Sequence, residues 1–562
     1  MHLNQTLIIY FSERYRGMII GLLLAVFLVY LPFINNALFF DDLPFFGGPV
    51  THYAEPQFHF VLRFLPYTSL GLTWKYFSDT PIPLHLGNIL LHSANTLLVF
   101  FLLQKLTSLI IQKSSPFTDL TLINPSFLSS TNWGPWLGAL CFACHPVAVY
   151  ATGYLVQRSI LMATLFTLAM QLAFLRGLIS PQKYQQYAWL TISVLFYSLA
   201  VFSKEHSLMA PAILIAMALL FKPLIRANRI ALATAGLGFI FVAIFVILKI
   251  KGIFGVAYEH DAAALFEQQA IISSSQNLHL LSIFTQAGLF FKYLLLWVIP
   301  NPSWMSIDMR ESFTSSVGAW QSWIKISCFM LYGIISLKLL LHRSKLALIG
   351  FALIYPWLMF IVEFSSVRVQ EPFVLYRSYL WIPGLLLLIP LLLDSLSNKK
   401  VIIATFLIIL GLIPLSWNRL WVFADDYRLW NDAAILLPNE VIPGAARIFY
   451  NKGNAEINKQ KFNEAIVDFK RVIAIDPKID QVYVNLGSAY LGINQYALGL
   501  ESFNQAIAIN HNNGQAYLGK GFALKRLNDR AAFIEAINTS CELKNATACL
   551  LMSLSKKMEL DH

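Results

Sequence analysis

Long apolar segments separated by short polar connections fill the first 420 residues of this chain. Each is about twenty residues long, the length with which an α-helix crosses the hydrocarbon core of a bilayer. Apolar residues make up 57% of the 562 residues, a larger share than soluble proteins carry. The sequence therefore predicts an all-α fold, with a polytopic membrane bundle of about eleven spans in residues 1–420. The segments lie near residues 17–38, 84–104, 135–151, 159–178, 187–203, 208–222, 230–249, 319–341, 346–362, 378–393 and 401–417.

Basic residues between these segments predict their orientation. Arg14 and Arg16 precede the first segment and no small-residue cleavage site follows it, so we expect a retained helix with a cytoplasmic N-terminus. Residues after about 420 then face the outer side, opposite to the N-terminus. Eleven spans place every basic cluster on the cytoplasmic side, namely Lys105, Lys113, Arg176, Lys183, Lys222, Arg226, Arg229, Arg343, Lys345, Lys399 and Lys400.

A further apolar stretch, residues 279–299, is long enough to span but carries Gln286 and Lys292. Counting it as a span would move the last two basic clusters to the outer side. We therefore predict an interfacial or re-entrant helix there, within an outer loop of residues 250–318. The other long outer loop covers residues 39–83.

The net charge of +11 does not indicate nucleic-acid binding. From residue 440 onward, 14 Lys and Arg stand against 12 Asp and Glu, so the basic excess belongs to the apolar part of the chain. There the positive-inside bias accounts for it. The excess thus reflects membrane orientation.

The five cysteines are too few and too scattered for a disulfide framework. Cys141 and Cys144 lie in an apolar run without a second pair of ligands, so we expect no metal there. Cys541 and Cys549 would pair only if the C-terminal region is exported.

Two adjacent aspartates, Asp41 and Asp42, follow the first apolar segment within the sequence FFDDLPFF. Charge so close to a membrane exit is costly, and this cost predicts a functional role. The alternative is a helix cap, a position that aspartate favours. We predict that at least one of the pair is catalytic, and we favour Asp41. Other polar groups expected on the same outer side are Arg63, His145, Arg158, Lys204, Glu205, Arg368 and Arg377.

The C-terminal part repeats with a period of 34 residues, marked by Gly453, Gly487 and Gly521. This is the length of a tetratricopeptide repeat, in which two antiparallel helices form one unit of an α-solenoid. We predict about three repeats over residues 446–562, the last of them degraded as a capping unit. Plain helical hairpins without a binding role are the alternative. If the solenoid binds a protein, we expect the contact in the region of Tyr483, Tyr490 and Tyr517.

Residues 421–445 join these two parts as a Trp-rich amphipathic linker. Trp417, Trp421 and Trp430 are the residues that we expect to anchor it at the membrane interface. A second acidic pair, Asp425 and Asp426, has no polar neighbours from the spans. We therefore expect a structural role for that pair.

Five motifs follow one another along the apolar part of the chain. FFDDL at residues 39–43 is followed by RFLPYTSLGLTWKYFSDTPIPLHLGNILLHSANTLL at residues 63–98, and then by HPVAVYATGYLVQRSILMA, FSKEHSLMAP and YRSYLWIPG. Together with the repeats they resemble the transmembrane and tetratricopeptide-repeat O-mannosyltransferases and their bacterial relatives. These belong to the membrane glycosyltransferases of the C superfamily.

Individual residues carry this resemblance. The matching positions are Asp41, Asp42, Arg63, His85, Asn88, His92, Asn95, His145, Pro146, Arg158, Lys204, Glu205, Pro211, Tyr379 and Pro383. The chain departs from the family at Tyr150, where a glutamate is common, and at Arg377, which stands one place away from the family's arginine. An acidic role at position 150 is therefore not implied.

The resemblance implies transfer of a sugar from a polyprenyl-phosphate donor to a hydroxyl of an exported protein, such as a pilin. It implies inversion at the sugar, with an aspartate as base, on the periplasmic face of a bacterial inner membrane. The implied catalytic residues are Asp41 and Asp42. The implied ligands of the donor phosphate are Arg158, Lys204, Arg377 and His145. Supporting roles fall to Arg63, Glu205, Tyr379, His85 and His92, although the two histidines also fit interhelical hydrogen bonds.

Chemistry independent of the family agrees with this assignment. A carboxylate can serve as base for an acceptor hydroxyl, and arginine and lysine can stabilise a departing phosphate. We find neither a GKS/T phosphate loop nor a GxGxxG motif after a strand. A divalent metal is possible, but no ligand-spaced cluster supports one. We expect no certain cofactor beyond the lipid-linked sugar, which is a substrate.

Two other functions remain open. An oligosaccharide ligase or polymerase would use lipid-diphosphate donors and would depend on paired arginines in a large outer loop. A flippase or transporter would carry ionisable residues near the midplane and duplicated halves, and we find no such duplication. The sequence names neither the sugar nor the acceptor.

Overall fold

The computed structural model of the chain describes residues 13–55, 61–77, 80–113, 133–250, 252, 278–342, 345–369, 371–393, 397–439 and 442–560. All regular elements in these residues are helices, which confirms the predicted all-α class for the described part of the chain. The chain divides into two compact units. The first comprises Met1–Ile307 and Phe313–Asp425, and the second comprises Asp308–Ser312 and Asp426–His562.

The first unit contains the apolar helices. In chain order they are α1 (Glu13–Tyr30), α2 (Asp42–Phe46), α3 (Pro49–Tyr53), α4 (Phe64–Phe77), α5 (Ile82–Lys113), α6 (Gly134–Cys144), α7 (Pro146–Thr152), α8 (Arg158–Ile179), α9 (Lys183–Ser203), α10 (Ala210–Leu220), α11 (Lys222–Ala227), α12 (Arg229–Ile250), α13 (Leu278–Val298), α14 (Trp320–Leu341), α15 (Lys345–Phe360), α16 (Ser378–Leu385), α17 (Leu388–Leu392) and α18 (Asn398–Val422). Short 3-10 turns relevant to the site are Leu155–Gln157, Glu205–Met209, Ile361–Ser365 and Leu375–Arg377.

Ten helical stretches in the described residues are long and apolar enough to cross a membrane, and a bent pair of helices raises the number to eleven. The bent pair is α6 and α7, which meet at 60°. The bend lies at His145, which adopts an extended backbone conformation (ψ 131°) directly before Pro146. Proline disfavours the α conformation in the residue that precedes it, so the helix stops there.

The eleven stretches are not the same set as the eleven predicted segments. Predicted span 208–222 corresponds to the apolar helix Glu205–Leu220, which is shorter than the others. Its regular α part, α10, has eleven residues, because a 3-10 turn precedes it and Pro223 follows Lys222. The stretch predicted to be interfacial or re-entrant is α13, a helix of 21 residues that passes the same length and composition criteria as the spans.

The two predicted outer loops are described in part. Most of the first one, residues 39–83, forms α2, α3 and α4, while residues 56–60 and 78–79 lie outside the described residues. In the second one, residues 253–277 lie outside them as well. The described remainder of the second loop begins with α13.

Helix α13 makes polar contacts with the connection between α15 and α16. Near its start the His279 ring contacts the Phe364 carbonyl oxygen at 2.7 Å. In its middle the Gln286 amide donates to the Pro372 carbonyl oxygen at 2.8 Å. Near its end the Trp297 ring N–H donates to the Ser378 hydroxyl at 2.9 Å. This one stretch of chain therefore satisfies polar groups along the whole helix.

Several helices of the first unit expose apolar side chains to their surroundings. Phe241 on α12 is 73% exposed, Leu331 on α14 is 55% exposed and Ile402 on α18 is 69% exposed. Such extensive apolar surface is characteristic of a region covered by lipid or by another protein. It is compatible with the predicted membrane bundle.

The second unit is a stack of helical hairpins. Its helices are α19 (Asp426–Ile435), α20 (Ala445–Asn458), α21 (Phe462–Ile475), α22 (Asp480–Gly492), α23 (Tyr496–Ile509), α24 (Gly514–Arg526), α25 (Arg530–Glu542) and α26 (Ala546–Leu560). The predicted linker 421–445 is thus divided, because α18 continues to Val422 and α19 already belongs to the second unit. The third predicted repeat forms the same kind of hairpin, α24 and α25, as the first two.

The 34-residue period has a structural cause in each repeat. A Cβ atom on Gly453 would lie 2.6 Å from the Phe469 ring, and one on Gly487 would lie 2.8 Å from the Phe503 ring. The glycine therefore lets the two helices of a hairpin approach closely. The turn between them also repeats, with left-handed φ values of 59° at Gln460, 60° at Asn494 and 64° at Asn528.

A segment of the predicted outer loop, Asp308–Ser312, belongs to the second unit. The buried Asp308 carboxylate accepts hydrogen bonds from Arg310 at 2.7 Å and from Arg447 at 2.8 Å. Gly444 has a φ of 81°, and a Cβ atom there would overlap the Arg310 guanidinium. The first repeat is therefore completed by residues that lie far upstream in the chain.

Cys541 and Cys549 form a disulfide between α25 and α26, with their Cα atoms 4.7 Å apart. We expected this pair only for an exported domain. Cys141, Cys144 and Cys328 are free thiols.

Candidate functional site

Two strained backbone positions lie in the segment between α1 and α4. Phe40 has a φ of 51° and Arg63 a φ of 62°. In the described residues of the first unit, these are the only non-glycine residues with positive φ. Such conformations cost on the order of 1–3 kcal/mol and concentrate at functional sites. Both positions border the charged groups described below.

Asp42 is fully buried and binds the backbone. Its carboxylate accepts hydrogen bonds from the N–H groups of Val156 at 2.8 Å and Leu155 at 3.3 Å. Burial raises the pKa of Asp42 to about 8, although the two backbone N–H groups act in the opposite direction. Asp42 therefore holds the loop against the 3-10 turn that begins at Leu155.

Asp41 lies at the surface beside Asp42. Its backbone N–H donates to the Tyr154 hydroxyl at 3.1 Å, and its carboxylate also hydrogen-bonds with this hydroxyl. The ring of Tyr154 is buried and stacks on Phe39, with the ring centroids 5.3 Å apart. Burial raises the pKa of Tyr154 well above its ordinary value, and the charges of both aspartates add to this effect. The exposed carboxyl of the pair is thus Asp41.

Lys204 is a buried lysine whose hydrogen-bond partners in the described structure are neutral. It donates to the Gln157 side-chain oxygen at 2.8 Å and to the Ser159 hydroxyl at 3.3 Å, and it lies 4.7 Å from the centre of the Tyr376 ring. Burial and the positive charge of Arg63 lower the pKa of Lys204 well below its ordinary value. An anion placed here would relieve both effects.

Glu205 pairs with Arg63 across the site. The Arg63 guanidinium donates to both oxygens of the Glu205 carboxylate, one of the bonds being 3.1 Å long. The Arg63 backbone N–H also donates to the Phe202 carbonyl oxygen at 2.8 Å. A bidentate arginine–carboxylate pair has defined geometry, so it fixes the chain before α4 to the end of α9.

A second ion pair lies close to the Lys204–Glu205 turn. Arg377 donates to Glu363 at 2.7 Å, and the His206 ring lies 3.3 Å from the other oxygen of Glu363. Each of these three side chains is buried. Among the described residues, the Nε atom of Arg377 has no hydrogen-bond partner. Buried arginine nitrogens are rarely left unpaired, so this atom is available to a ligand.

The cluster combines basic and acidic side chains. Its basic side chains are Lys204, Arg63, Arg368 and Arg377, and its acidic side chains other than the aspartate pair are Glu205, Glu363 and Glu371. Buried charge needs a counter-charge. Lys204 donates to neutral groups and Arg377 has an unpaired Nε in the described structure, so these two side chains suit an anionic ligand such as a phosphate monoester or diester.

Arg158 is engaged differently from Lys204 and Arg377. It donates to the Asn88 side-chain oxygen at 2.8 Å, to the Leu84 carbonyl oxygen at 2.8 Å and to the Ser69 hydroxyl at 3.0 Å. These partners are all neutral and come from α4 and α5. Arg158 therefore ties α8 to those two helices, and its guanidinium is largely committed to this contact.

The predicted histidines lie in the packing between helices. His145 caps α7 by accepting the Val147 N–H at 3.2 Å, and its ring stacks on Trp297 with the centroids 4.2 Å apart. His92 contacts the Tyr379 hydroxyl at 2.7 Å and the Ala143 carbonyl oxygen at 3.1 Å. Tyr379 is fully buried at this contact.

His85 lies on the same helix as His92. Its ring contacts the Asn36 carbonyl oxygen at 3.0 Å. The side chain of Asn36 in turn donates to the Leu420 carbonyl oxygen at 2.8 Å. These contacts of His85 and His92 are made to packing groups and not to Asp41 or Lys204, so both histidines support the cluster through helix packing.

Sequence reasoning missed several residues of the site. Tyr154 and Gln157 stand in one turn beside Arg158 and reach Asp41 and Lys204, respectively. Glu363 gave a signal that could have been used, because it is a lone acid at the end of an apolar segment. Tyr154 gave none, since aromatic residues are frequent throughout the chain.

The structure places the three tyrosines of the predicted contact region in different settings. Tyr490 is buried in the hydrophobic core of the first two hairpins, and Tyr483 packs against the core around Phe503. Tyr517 is half-buried. The Tyr490 side chain therefore stabilises the fold and offers no surface to a partner.

A row of polar side chains lies instead on the first helices of the first two hairpins. The Asn485 amide donates to Asn454 at 2.6 Å and to the Tyr450 hydroxyl at 3.2 Å. The Gln481 amide donates to Asn485 at 3.2 Å. Amide side chains carry donors and acceptors, the groups that a polypeptide backbone requires.

The described residues contain no group of three or more His, Cys, Asp or Glu side chains placed to hold a metal ion. The site itself offers cations for an anionic ligand and one exposed carboxylate. Its parts come from the loop after α1, the turn before α8, the end of α9 and the region between α15 and α16.

Comparison with known proteins identifies the C-terminal part. Tetratricopeptide repeat models match residues 446–479 and residues 480–513. This confirms two of the about three repeats predicted from the 34-residue period. No curated protein matches the chain. The resemblance to membrane glycosyltransferases receives no support from these matches.

Solved structures similar to this chain include two tetratricopeptide domains and MamA. The first tetratricopeptide domain of Spaghetti (RPAP3), bound to the HSP90 peptide SRMEEVD, is 26% identical, with a TM-score of 0.19 and coverage of 20% of this chain and 93% of that chain. The Arabidopsis OM64 domain is 22% identical, with a TM-score of 0.19 and coverage of 20% and 95%. MamA is 18% identical, with a TM-score of 0.20 and coverage of 28% and 85%.

Proposed function

We propose that this chain is a membrane glycosyltransferase that transfers a sugar from a polyprenyl-phosphate donor to a hydroxyl of an exported protein. The observation that carries the proposal is that an exposed carboxyl, Asp41, and a buried lysine, Lys204, both lie beside the aromatic pair Tyr154 and Tyr376. The resemblance of the sequence to C-superfamily glycosyltransferases supports the same reaction.

The reaction needs one base and one site for an anionic leaving group. Asp41 accepts the proton of the acceptor hydroxyl as the acceptor oxygen forms its bond to the anomeric carbon. The bond between that carbon and the phosphate oxygen breaks, and the phosphate leaves with the electron pair. Attack from the face opposite to the phosphate inverts the configuration at the sugar.

Lys204 and Arg377 are the phosphate ligands in this proposal. Lys204 gains a counter-charge that its neutral partners do not supply, and the Nε of Arg377 is unpaired within the described structure. Cations stabilise the charge that develops on the leaving phosphate. Arg158 then acts through helix packing, since its hydrogen bonds are made to protein groups. His145 accepts the Val147 N–H with its Nδ1, while its Nε2 has no hydrogen-bond partner within the described structure.

The repeats hold the acceptor protein in this proposal. Tetratricopeptide repeats stack into extended concave surfaces that generally mediate protein interactions. The row formed by Asn454, Asn485 and Gln481 offers amide groups to an extended backbone. This row replaces the tyrosine region as the proposed contact surface.

We further propose that the apolar part of the chain lies in a bacterial inner membrane and that the repeats are periplasmic. The Cys541–Cys549 disulfide supports this location, because disulfides persist in oxidising compartments. The charge distribution supports an odd number of spans.

Intact-mass analysis of exported proteins tests the reaction. Cells that lack the gene should lose a sugar mass from at least one exported protein, and the wild-type gene should restore it. Asp41→Asn should fail to restore it while the variant inserts and accumulates normally. Normal glycosylation by Asp41→Asn would rule out the catalytic assignment. Parallel assays with lipid-monophosphate and lipid-diphosphate donors separate this function from a ligase or polymerase.

A further inference from the structure

Tyr154 lies at the meeting point of the aspartate pair and the aromatic packing beneath it. Its hydroxyl accepts the Asp41 backbone N–H at 3.1 Å and hydrogen-bonds with the Asp41 carboxylate. The Tyr154 side chain is buried. A tyrosine ring held in this way has little rotational freedom, so its hydroxyl is a fixed reference point for Asp41.

Three aromatic neighbours fix the ring. Phe39 stacks on it at 5.3 Å, the Phe40 ring lies 6.1 Å away, and Tyr376 meets it edge to face at 6.3 Å. Tyr376 is also the residue whose ring faces Lys204 at 4.7 Å. The packing around Tyr154 therefore connects the position of Asp41 to the position of the lysine.

The backbone before Asp41 needs such support. Phe40 has a φ of 51°, a conformation that an aromatic residue adopts only when its surroundings compensate for the strain. The bond from the Asp41 N–H to the Tyr154 hydroxyl lies directly after this strained residue. Asp42 contributes the neighbouring bonds to Leu155 and Val156.

We infer that Tyr154 is the positioning residue of Asp41, which it holds at a set orientation toward the acceptor hydroxyl. The expected change in kcat rests on the proposed function, whereas the expected change in hydrogen exchange of the Asp41 amide does not. Asp42 fixes the loop as a whole, and Tyr154 fixes the one carboxylate that faces outward. The two roles are separable because they use different atoms of the turn.

Tyr154→Phe is the test, because it removes the hydroxyl and keeps the ring. The matched control is Tyr355→Phe, which removes a buried hydroxyl that accepts a hydrogen bond from Gln171 at 2.8 Å. Full-length protein in detergent is assayed with polyprenyl-phosphate mannose and with polyprenyl-phosphate glucose. The acceptor is the exported protein fraction of cells that lack the gene.

We expect Tyr154→Phe to lower kcat on the order of 10- to 100-fold, with KM for the donor within about twofold of the wild type, as for a misplaced catalytic group. The acid limb of the pH profile should move to higher pH, because a carboxylate that loses a hydrogen-bond donor is protonated more easily. Tyr355→Phe should change neither quantity. Unchanged kcat and pH profile in Tyr154→Phe would overturn the inference.

Hydrogen exchange separates this inference from the proposed function. The Asp41 amide should exchange faster in Tyr154→Phe than in the wild type and in Tyr355→Phe, whether or not transfer is observed. If the wild type forms no product with either donor, the proposed reaction fails for those donors while faster exchange still supports the positioning role. Equal exchange of the Asp41 amide in all three proteins would refute that role.

Discussion

The repeats and the charged cluster are built by opposite rules. In the repeats, each stabilising contact recurs after 34 residues, as the Gly453–Phe469 and Gly487–Phe503 pairs illustrate. In the cluster, each contact occurs once and joins distant parts of the chain, such as Asp42 with Val156 and His206 with Glu363. Regular packing tolerates variation within a unit, whereas a cluster of unique contacts depends on every member.

The sharpest test of this contrast is Asp42→Ala. It would leave the buried N–H groups of Leu155 and Val156 without their acceptor, which costs about 2–6 kcal/mol for two groups. We expect a lower melting temperature and loss of transfer. Thermal unfolding of the full chain in detergent measures the first effect.

Asp41→Asn is the comparison for this variant. Because the carboxyl of Asp41 is exposed, we expect this variant to have a melting temperature within about 1 °C of the wild type, since surface substitutions have small effects. Equal destabilisation by both variants would contradict the division of roles between the two aspartates.

A smaller effect is expected in the repeats from Gly487→Ala. The added Cβ would lie 2.8 Å from the Phe503 ring, so the hairpin of α22 and α23 must open slightly. We expect a loss of about 1–2 kcal/mol, because overpacking outweighs the gain in helix propensity. Hydrogen exchange of peptides from that hairpin measures the loss.

Gly411→Ala serves as its control. Within the described structure, no atom lies within 4 Å of a Cβ at that position of α18. We expect no loss of protection there. A destabilisation confined to residue 487 and its hairpin would support local, additive packing in the repeats, and one that spreads through the chain would argue against it.

The smallest expected effect concerns pH. Burial and the negative charge of Asp468 raise the pKa of Glu456 in the first repeat from 4.5 to about 7. Between these values the folded state holds a proton that the unfolded state has released. Stability of this repeat therefore falls as pH rises from about 4.5 to about 7.

Glu456→Gln should remove this dependence, worth about 1 kcal/mol after allowance for the Lys452 ammonium, 3.2 Å away. Exchange of α20 peptides at several pH values, corrected for the intrinsic exchange rate, measures it. A wild-type repeat whose stability rises over the same range would show that Glu456 is ionised in the folded protein.

The same contrast explains which features of the molecule could be predicted from the sequence. The repeats follow from a period, and the apolar segments follow from composition, so both could be predicted. The aspartate pair could be recognised because charge is rare beside an apolar segment. The roles within the cluster could not, because Tyr154 lies 113 residues from Asp41 and no local pattern relates them.

Length and hydropathy also left two segments ambiguous. Residues 208–222 and 279–299 are both apolar, yet the first forms a short helix and the second a long one. Prolines at 211 and 223 limit the first. The polar partners of Gln286 and Trp297 were needed to relate the second to its neighbours.

The contribution of Asp308–Ser312 to the second unit has a consequence for deletion experiments. A stop codon after residue 425 removes Arg447 and Gly444 but leaves Asp308 and Arg310 in the upstream loop. These two residues then lose the residues that they contact in the first repeat. Such a truncation would disturb the loop as well as delete the repeats. Loss of transfer in a truncated protein would therefore not prove that the repeats recruit the acceptor, whereas substitutions at Asn454 and Asn485 probe recruitment without cutting the chain.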